Sequence, residues 1–265
     1  MRKLLLAGAL LAVMGPVALV RAGEAIRPEK TIVLFDGKDL GAFYSYLEHS
    51  KYKDPKKVFS VQDGLLRISG EEWGGIATRE AYRDYHLVVE WKWGEENHAP
   101  RANKARDSGI LIHGRGPDGA AGNKWLESIE YQVIEGGTGD FILVAGEHRP
   151  SMTVECREEA DGALYWKEGG KPVRRDSGRF NWYGRDPNWK DVKGFRGKND
   201  VTKPAGEWNV SEVICDGDTI TAMVNGVVVN KGTEVAHPEG KIQIQSESAE
   251  IFIRRVELRP LAGSR

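Results

Sequence analysis

The chain has 265 residues, 38 Lys+Arg against 39 Asp+Glu, with 40% hydrophobic and 29% charged residues, apolar enough for a packed core and too apolar for a disordered chain. Residues 1–22 contain Arg2, Lys3 and Arg21 and no acid, so 38 less these three leaves 35 basic side chains against 39 acids, a net charge near −4. That is the wrong sign for a nucleic-acid binder. Met1-Arg2-Lys3, the apolar run Leu4 to Val20 and Val20-Arg21-Ala22 read as a removable export signal over residues 1–22. The rival reading is a retained membrane anchor, against which Gly15-Pro16 breaks the run and small residues follow; no later stretch approaches the ~18 apolar residues that span a bilayer. The expectation is an exported protein, periplasmic or extracellular, with no stable membrane insertion once the signal is removed. Export would permit a Cys156–Cys215 disulfide, and a pair of buried free thiols is the other reading.

Beyond the signal, 32 Gly and 11 Pro cut the chain into short segments that alternate apolar and polar residues, an all-β pattern. In chain order the predicted strands are Thr31 to Phe35, Val58 to Val61, Leu65 to Ser69, His86 to Trp93, Gly109 to His113, Ile129 to Ile134, Phe141 to Val144 and Ser151 to Val154. Trp208 to Cys215, Thr219 to Val224, Val227 to Asn230, Gly240 to Ser246 and Ile251 to Leu258 follow. Asp63-Gly64, Asp216-Gly217 and Asn225-Gly226 are hairpin dipeptides between such runs. With no sustained helical period and no linker, the pattern predicts one two-sheet sandwich of jelly-roll type. The least regular region, Glu168 to Pro204, holds Trp182, Tyr183 and Trp189, so it reads as an ordered functional loop.

Several segments together resemble one family. They are Phe35-Asp36-Gly37-Lys38-Asp39-Leu40, Asp63-Gly64-Leu65, Tyr82-Arg83-Asp84-Tyr85, Asp107-Ser108-Gly109-Ile110, Glu130-Tyr131-Gln132, Gly206-Glu207-Trp208-Asn209, Val224-Asn225-Gly226 and Phe252-Ile253-Arg254. Their order is similar to that of the 3-keto-disaccharide hydrolase domain, also described as a 3-keto-glucoside 1,2-lyase and 3-keto-2-hydroxyglucal hydratase domain. The resemblance spans residues 31–261 as one domain and implies a concanavalin-A-like β-sandwich in exported bacterial sugar catabolism, with a small carbohydrate as substrate. Two positions depart from it: the family usually has Asn where Asp107 stands, and often Arg where His113 stands.

Alternation puts Glu130 and Gln132 on one face of their strand, with Ile129, Tyr131 and Val133 on the other, as expected of a strand that lines a groove. Glu135 joins Glu130 if a bulge precedes Gly136-Gly137. His113 shares a face with Leu111, and with Arg115 if that strand continues. Glu130 and His113 are therefore the expected base or ligands of one divalent metal ion, with no other cofactor. Glu90 and Glu135 are the candidate further acids, and Gln132, Arg115 and His148 the candidate sugar contacts. Trp182 and Tyr183 offer flat faces on which a pyranose can stack, and Arg185 can bond its hydroxyls. For a 3-keto-glucoside the ketone acidifies the C2 proton, so a side-chain base can remove it and the C1 aglycone departs. The rival reading is a non-catalytic, lectin-like binding module, which needs the aromatic platform and no inward cluster of ionisable groups.

Overall fold

The computed structural model describes residues 24–263, and the export signal predicted over residues 1–22 lies outside the described residues. Eighteen strands follow one another: β1 (Ile32–Phe35), β2 (Phe43–Leu47), β3 (Phe59–Gln62), β4 (Leu65–Ile68), β5 (Gly74–Thr78), β6 (Tyr85–Asn97), β7 (Asp107–Arg115), β8 (Glu127–Ile134), β9 (Phe141–Val144), β10 (Met152–Glu158), β11 (Leu164–Trp166), β12 (Lys171–Arg175), β13 (Gly178–Phe180), β14 (Asn209–Asp216), β15 (Thr219–Val224), β16 (Val227–Gly232), β17 (Lys241–Ser246) and β18 (Ala249–Arg259). No helix occurs among the described residues. An eight-stranded sheet runs β16-β15-β14-β6-β18-β4-β3, with β1 also on β18, and a seven-stranded sheet runs β13-β9-β8-β7-β17-β5-β2. The small sheet β11-β10-β12 is the third. The two large antiparallel sheets form the predicted jelly-roll sandwich.

Strand alternation explains what lies between them. In β6, Tyr85, Leu87, Val89, Trp91 and Trp93 enter the core, and in β8 Ile129, Tyr131 and Val133 do so from the other sheet. The Tyr131 hydroxyl crosses the sandwich to lie 2.9 Å from Ser211 Oγ on β14 and 3.1 Å from Met223 O. The Trp91 indole N–H donates to the same Ser211 Oγ at 2.9 Å. Tyr131→Phe is therefore expected to lower the free energy of unfolding by about 1–3 kcal/mol in urea titrations, because buried acceptors lose their donor. An unchanged denaturation midpoint would mean the bridge contributes nothing.

The predicted strands are present, and β2, β5, β11, β12 and β13 are strands that the sequence reading lacked. β5, Gly-Gly-Ile-Ala-Thr, reads as a turn, yet it is paired on both sides, with β17 and β2. An added Cβ at Gly75 would lie 2.7 Å from Gln243 Cγ and 2.8 Å from Ile244 O, so glycine is set by close approach of β17 rather than by a turn. β12 carries Pro172 and three cations and lies at a sheet edge, where its polarity mimics a loop. Cys156 and Cys215 are buried free thiols.

Candidate active site

Because Ile129, Tyr131 and Val133 fill the core, Glu130 and Gln132 turn to the opposite face of the seven-stranded sheet. Register then identifies their neighbours. Glu130 is opposite Leu111 and Gln132 opposite Gly109 on β7. β17 places Gln243 opposite Leu111, and Glu247, just past its end, bridges to Asp107. On the other flank the Gln132 amide donates to Asp140 O at 3.0 Å, and Arg179 pairs with Ile142, itself the partner of Glu130. The result is a polar floor that carries Asp107, Glu130, Gln132, Gln243, Gln245 and Glu247.

Gly109 makes the floor possible. An added Cβ there would lie 2.3 Å from Glu130 Oε1 and 2.5 Å from Gln245 Oε1, so these two side chains converge over its bare backbone. Glu130 is 5% exposed and Asp107 5%. Burial, reinforced by the neighbouring Asp107 charge and opposed by Arg179, pushes the Glu130 carboxyl up to about 8. Burial also raises Asp107, to about 7, although Arg101 and Arg179 oppose it; Arg101 Nη2 lies 3.0 Å from Asp107 Oδ2. Burial together with Asp107 and Glu130 raises Glu247 well above the usual carboxylate range. Three carboxyls thus crowd one largely desolvated patch, and each disfavours ionisation of the others.

Cations surround the patch from β13 and from loops. Asp140 accepts from Arg179 Nη1 at 2.7 Å, from the Trp182 amide at 2.8 Å, and from Arg185. The Arg185 guanidinium also lies 4.5 Å from the Trp189 ring centroid. Arg101 Nη2 reaches Asp191 Oδ1 at 3.1 Å in the long loop, so that loop fixes the cation beside Asp107. Asp107 Oδ1 and Gln245 Oε1 are buried with no hydrogen-bond partner among the described residues. Hydroxyl groups of a bound molecule would satisfy both acceptors.

Of the residues predicted from sequence, Glu130, Gln132 and Arg185 meet at this floor, and the others lie elsewhere. His113 has a left-handed φ of 56° where the β7–β8 register shifts between Ile112 and Arg115. That irregularity turns its ring away from Glu130, to 6.2 Å from the core ring of Tyr85, and burial pushes the imidazole down to about 3. His113 and Glu130 therefore do not converge on one ion, and among the described residues no three His, Cys, Asp or Glu side chains are grouped to hold a metal. Arg115 lies 3.7 Å from Glu239. The His148 amide and Nδ1 lie 2.8 and 3.1 Å from Glu127 Oε2, so both residues belong to the far end of β8.

Glu90 occupies the outer face of the eight-stranded sheet, because its neighbours Val89 and Trp91 point into the core. Burial would raise its carboxyl, but the ion pairs with Arg254 and Arg255 outweigh that and lower it. Glu135 is a clamp: Oε1 accepts from Arg106 Nη1 at 2.7 Å, and Oε2 from the amides of Arg106 at 3.0 Å and Gly194 at 2.7 Å. Trp182 is 1% exposed in the core, whereas Tyr183 is 39% exposed, so the two are not one platform. Asp107, Glu247, Gln243, Gln245, Asp140, Arg101 and Arg179 were missed. Gln243-x-Gln245-x-Glu247 has the same period-2 polar spacing as Glu130-x-Gln132 and was a readable signal. Arg179 and Asp140 had none.

A sequence model of the family described as the 3-keto-alpha-glucoside-1,2-lyase-like domain matches residues 30–259. No curated protein matches the chain. Among solved structures, a candidate glycosyl hydrolase from Parabacteroides distasonis is 17% identical over 88% of this chain and 94% of its own, with a TM-score of 0.52. The β-glucanase of Bacillus licheniformis is 11% identical over 88% and 99%, with a TM-score of 0.46. A carbohydrate-binding module from Bacillus subtilis is 9% identical over 82% and 94%, with a TM-score of 0.42. At these identities the likeness is one of fold, and the first of the three carries it.

Proposed function

Because the chain belongs to the 3-keto-alpha-glucoside-1,2-lyase-like domain family, and so to the carbohydrate-active proteins, we propose that it is an exported enzyme that cleaves 3-keto-glucosides by removing the C2 proton. The observation that carries this reading is the cluster of buried Asp107 and Glu130 with partly buried Glu247, set between Arg101 and Arg179. A lectin-like module has no use for three desolvated carboxyls, since each costs stability whenever it ionises.

Glu130 is the base. A carboxylate whose conjugate acid titrates near 8 is a stronger base than an ordinary one and is still partly ionised at neutral pH. It takes the C2 proton as the C2–H electron pair moves toward the C3 carbonyl, and Arg179 offsets the charge that develops on the enediolate oxygen. Collapse of the enediolate forms the C1–C2 double bond and breaks the C1–O bond. Glu247, whose carboxyl burial and the neighbouring acids raise well above the usual range, gives its proton to the departing oxygen. Addition of water across the double bond then completes a net hydrolysis. Gln132 and Gln245 hold ring hydroxyls, and Arg185 positions Arg179 through their shared Asp140.

The pH profile of aglycone release tests the assignment. Below about 8 the ionised fraction of Glu130 rises about tenfold per pH unit, so kcat/KM is expected to climb with that slope up to about 8. A profile that is flat from pH 5 to 9 would remove Glu130 as the base.

A further inference from the structure

The segment 181–185 faces in more than one direction. Trp182 enters the core and Arg185 joins Asp140 at the polar floor, while Tyr183 between them turns outward. Its ring lies 6.0 Å from that of Trp166, with the two planes 64° apart. With Arg157, Lys167 and Glu168 these rings line an open groove of about 540 Å³ that shares no residue with the carboxylate cluster. Backbone hydrogen bonds hold the corner in place: the Trp166 amide donates to Asn181 O at 2.8 Å, and the Lys167 amide to Glu155 O at 2.8 Å.

Two aromatic planes that meet at an angle make a corner for a flat, C–H-rich ring whose rim carries hydroxyls, and pyranose rings have that form. The Arg157 guanidinium lies 4.3 Å from the Tyr165 ring centroid and is ion-paired to Glu159, so it is a fixed donor with its charge balanced. Lys167 and Glu168 also line the groove, and their opposite charges leave it without net charge. A groove with paired charges does not select a phosphate or carboxylate, and its aromatic corner favours a neutral ligand. We infer that the Trp166–Tyr183 groove is a second carbohydrate site that holds a neutral glycan chain apart from the carboxylate cluster.

Native affinity electrophoresis of the purified full protein, through gels that contain a soluble mixed-linkage β-glucan or the α-glucan pullulan, tests this. Wild-type protein is expected to be retarded in at least one gel. Trp166→Ala and Tyr183→Ser are each expected to weaken the retardation constant about tenfold, the scale of one lost stacking contact. Trp166 also packs on the core, so Tyr183→Ser, at a more exposed ring, keeps the test decisive if Trp166→Ala does not fold. Unretarded wild-type protein in both gels, or retardation undiminished in Tyr183→Ser, would overturn the proposal. So would retardation lost in Glu130→Gln and kept in Tyr183→Ser, because that places the glycan at the cluster. Failure of the C2 chemistry is read separately, from aglycone release, and leaves the gel result standing.

Discussion

Replacing Glu130 by Gln is expected to lower kcat for a 3-keto-glucoside by about a hundredfold or more, the scale on which general bases act. Gln keeps the shape of the side chain over Gly109 and removes only the ability to accept the proton, so folding should survive. Stability gives an independent readout. A carboxyl raised to about 8 in the folded protein, from an ordinary 4.5, favours the folded state at low pH, and that contribution is lost as pH rises through the window from 4.5 to 8. Wild-type protein should therefore lose more stability than the Gln variant between pH 5 and pH 8, by chemical denaturation at each pH. Near-wild-type turnover in the variant would place the base elsewhere. Equal pH dependence of stability in both proteins would mean that Glu130 titrates normally.

Gly109→Ala is expected to cost about a hundredfold in activity, because misplacing a reacting group by about 1 Å is worth that much. The new methyl would sit 2.3 Å from Glu130 Oε1 and 2.5 Å from Gln245 Oε1, and both must move. Each contact is with the end of a side chain, not with backbone, so the fold can absorb it at about 1–3 kcal/mol, the range for overpacking. Steady-state kinetics beside urea denaturation separates the two effects. Loss of activity in step with loss of folded protein would make Gly109 a residue of the fold alone.

Alternation carried the sequence reading where a strand is regular. Glu130-x-Gln132 against Ile129, Tyr131 and Val133 located the polar floor because β8 contains no bulge. The same rule failed at His113, where one left-handed residue and a register shift reversed the direction of the ring. It failed differently at Glu90: period 2 states which residues share a face, and says nothing of which sheet they belong to or whether that face meets the floor. Asp107 and Glu247 are 140 positions apart and meet only because β7 and β17 are neighbours, which is a fact of topology that no local pattern encodes. Trp182 and Tyr183 look alike in sequence, yet one fills the core and the other lines a groove, since the chain turns there, with the Arg185 amide donating to Trp182 O.

Activity on matched substrates tests the central claim most directly. A glucoside and its 3-keto derivative with the same aglycone would each be incubated with the purified protein, and released aglycone measured over time. The C2 proton of the ordinary glucoside is too weakly acidic for a side-chain base, so release is predicted from the ketone alone. Release from the unoxidised glucoside at a comparable rate, or from neither, would contradict proton abstraction at C2 as the chemistry of the Asp107, Glu130, Glu247 cluster.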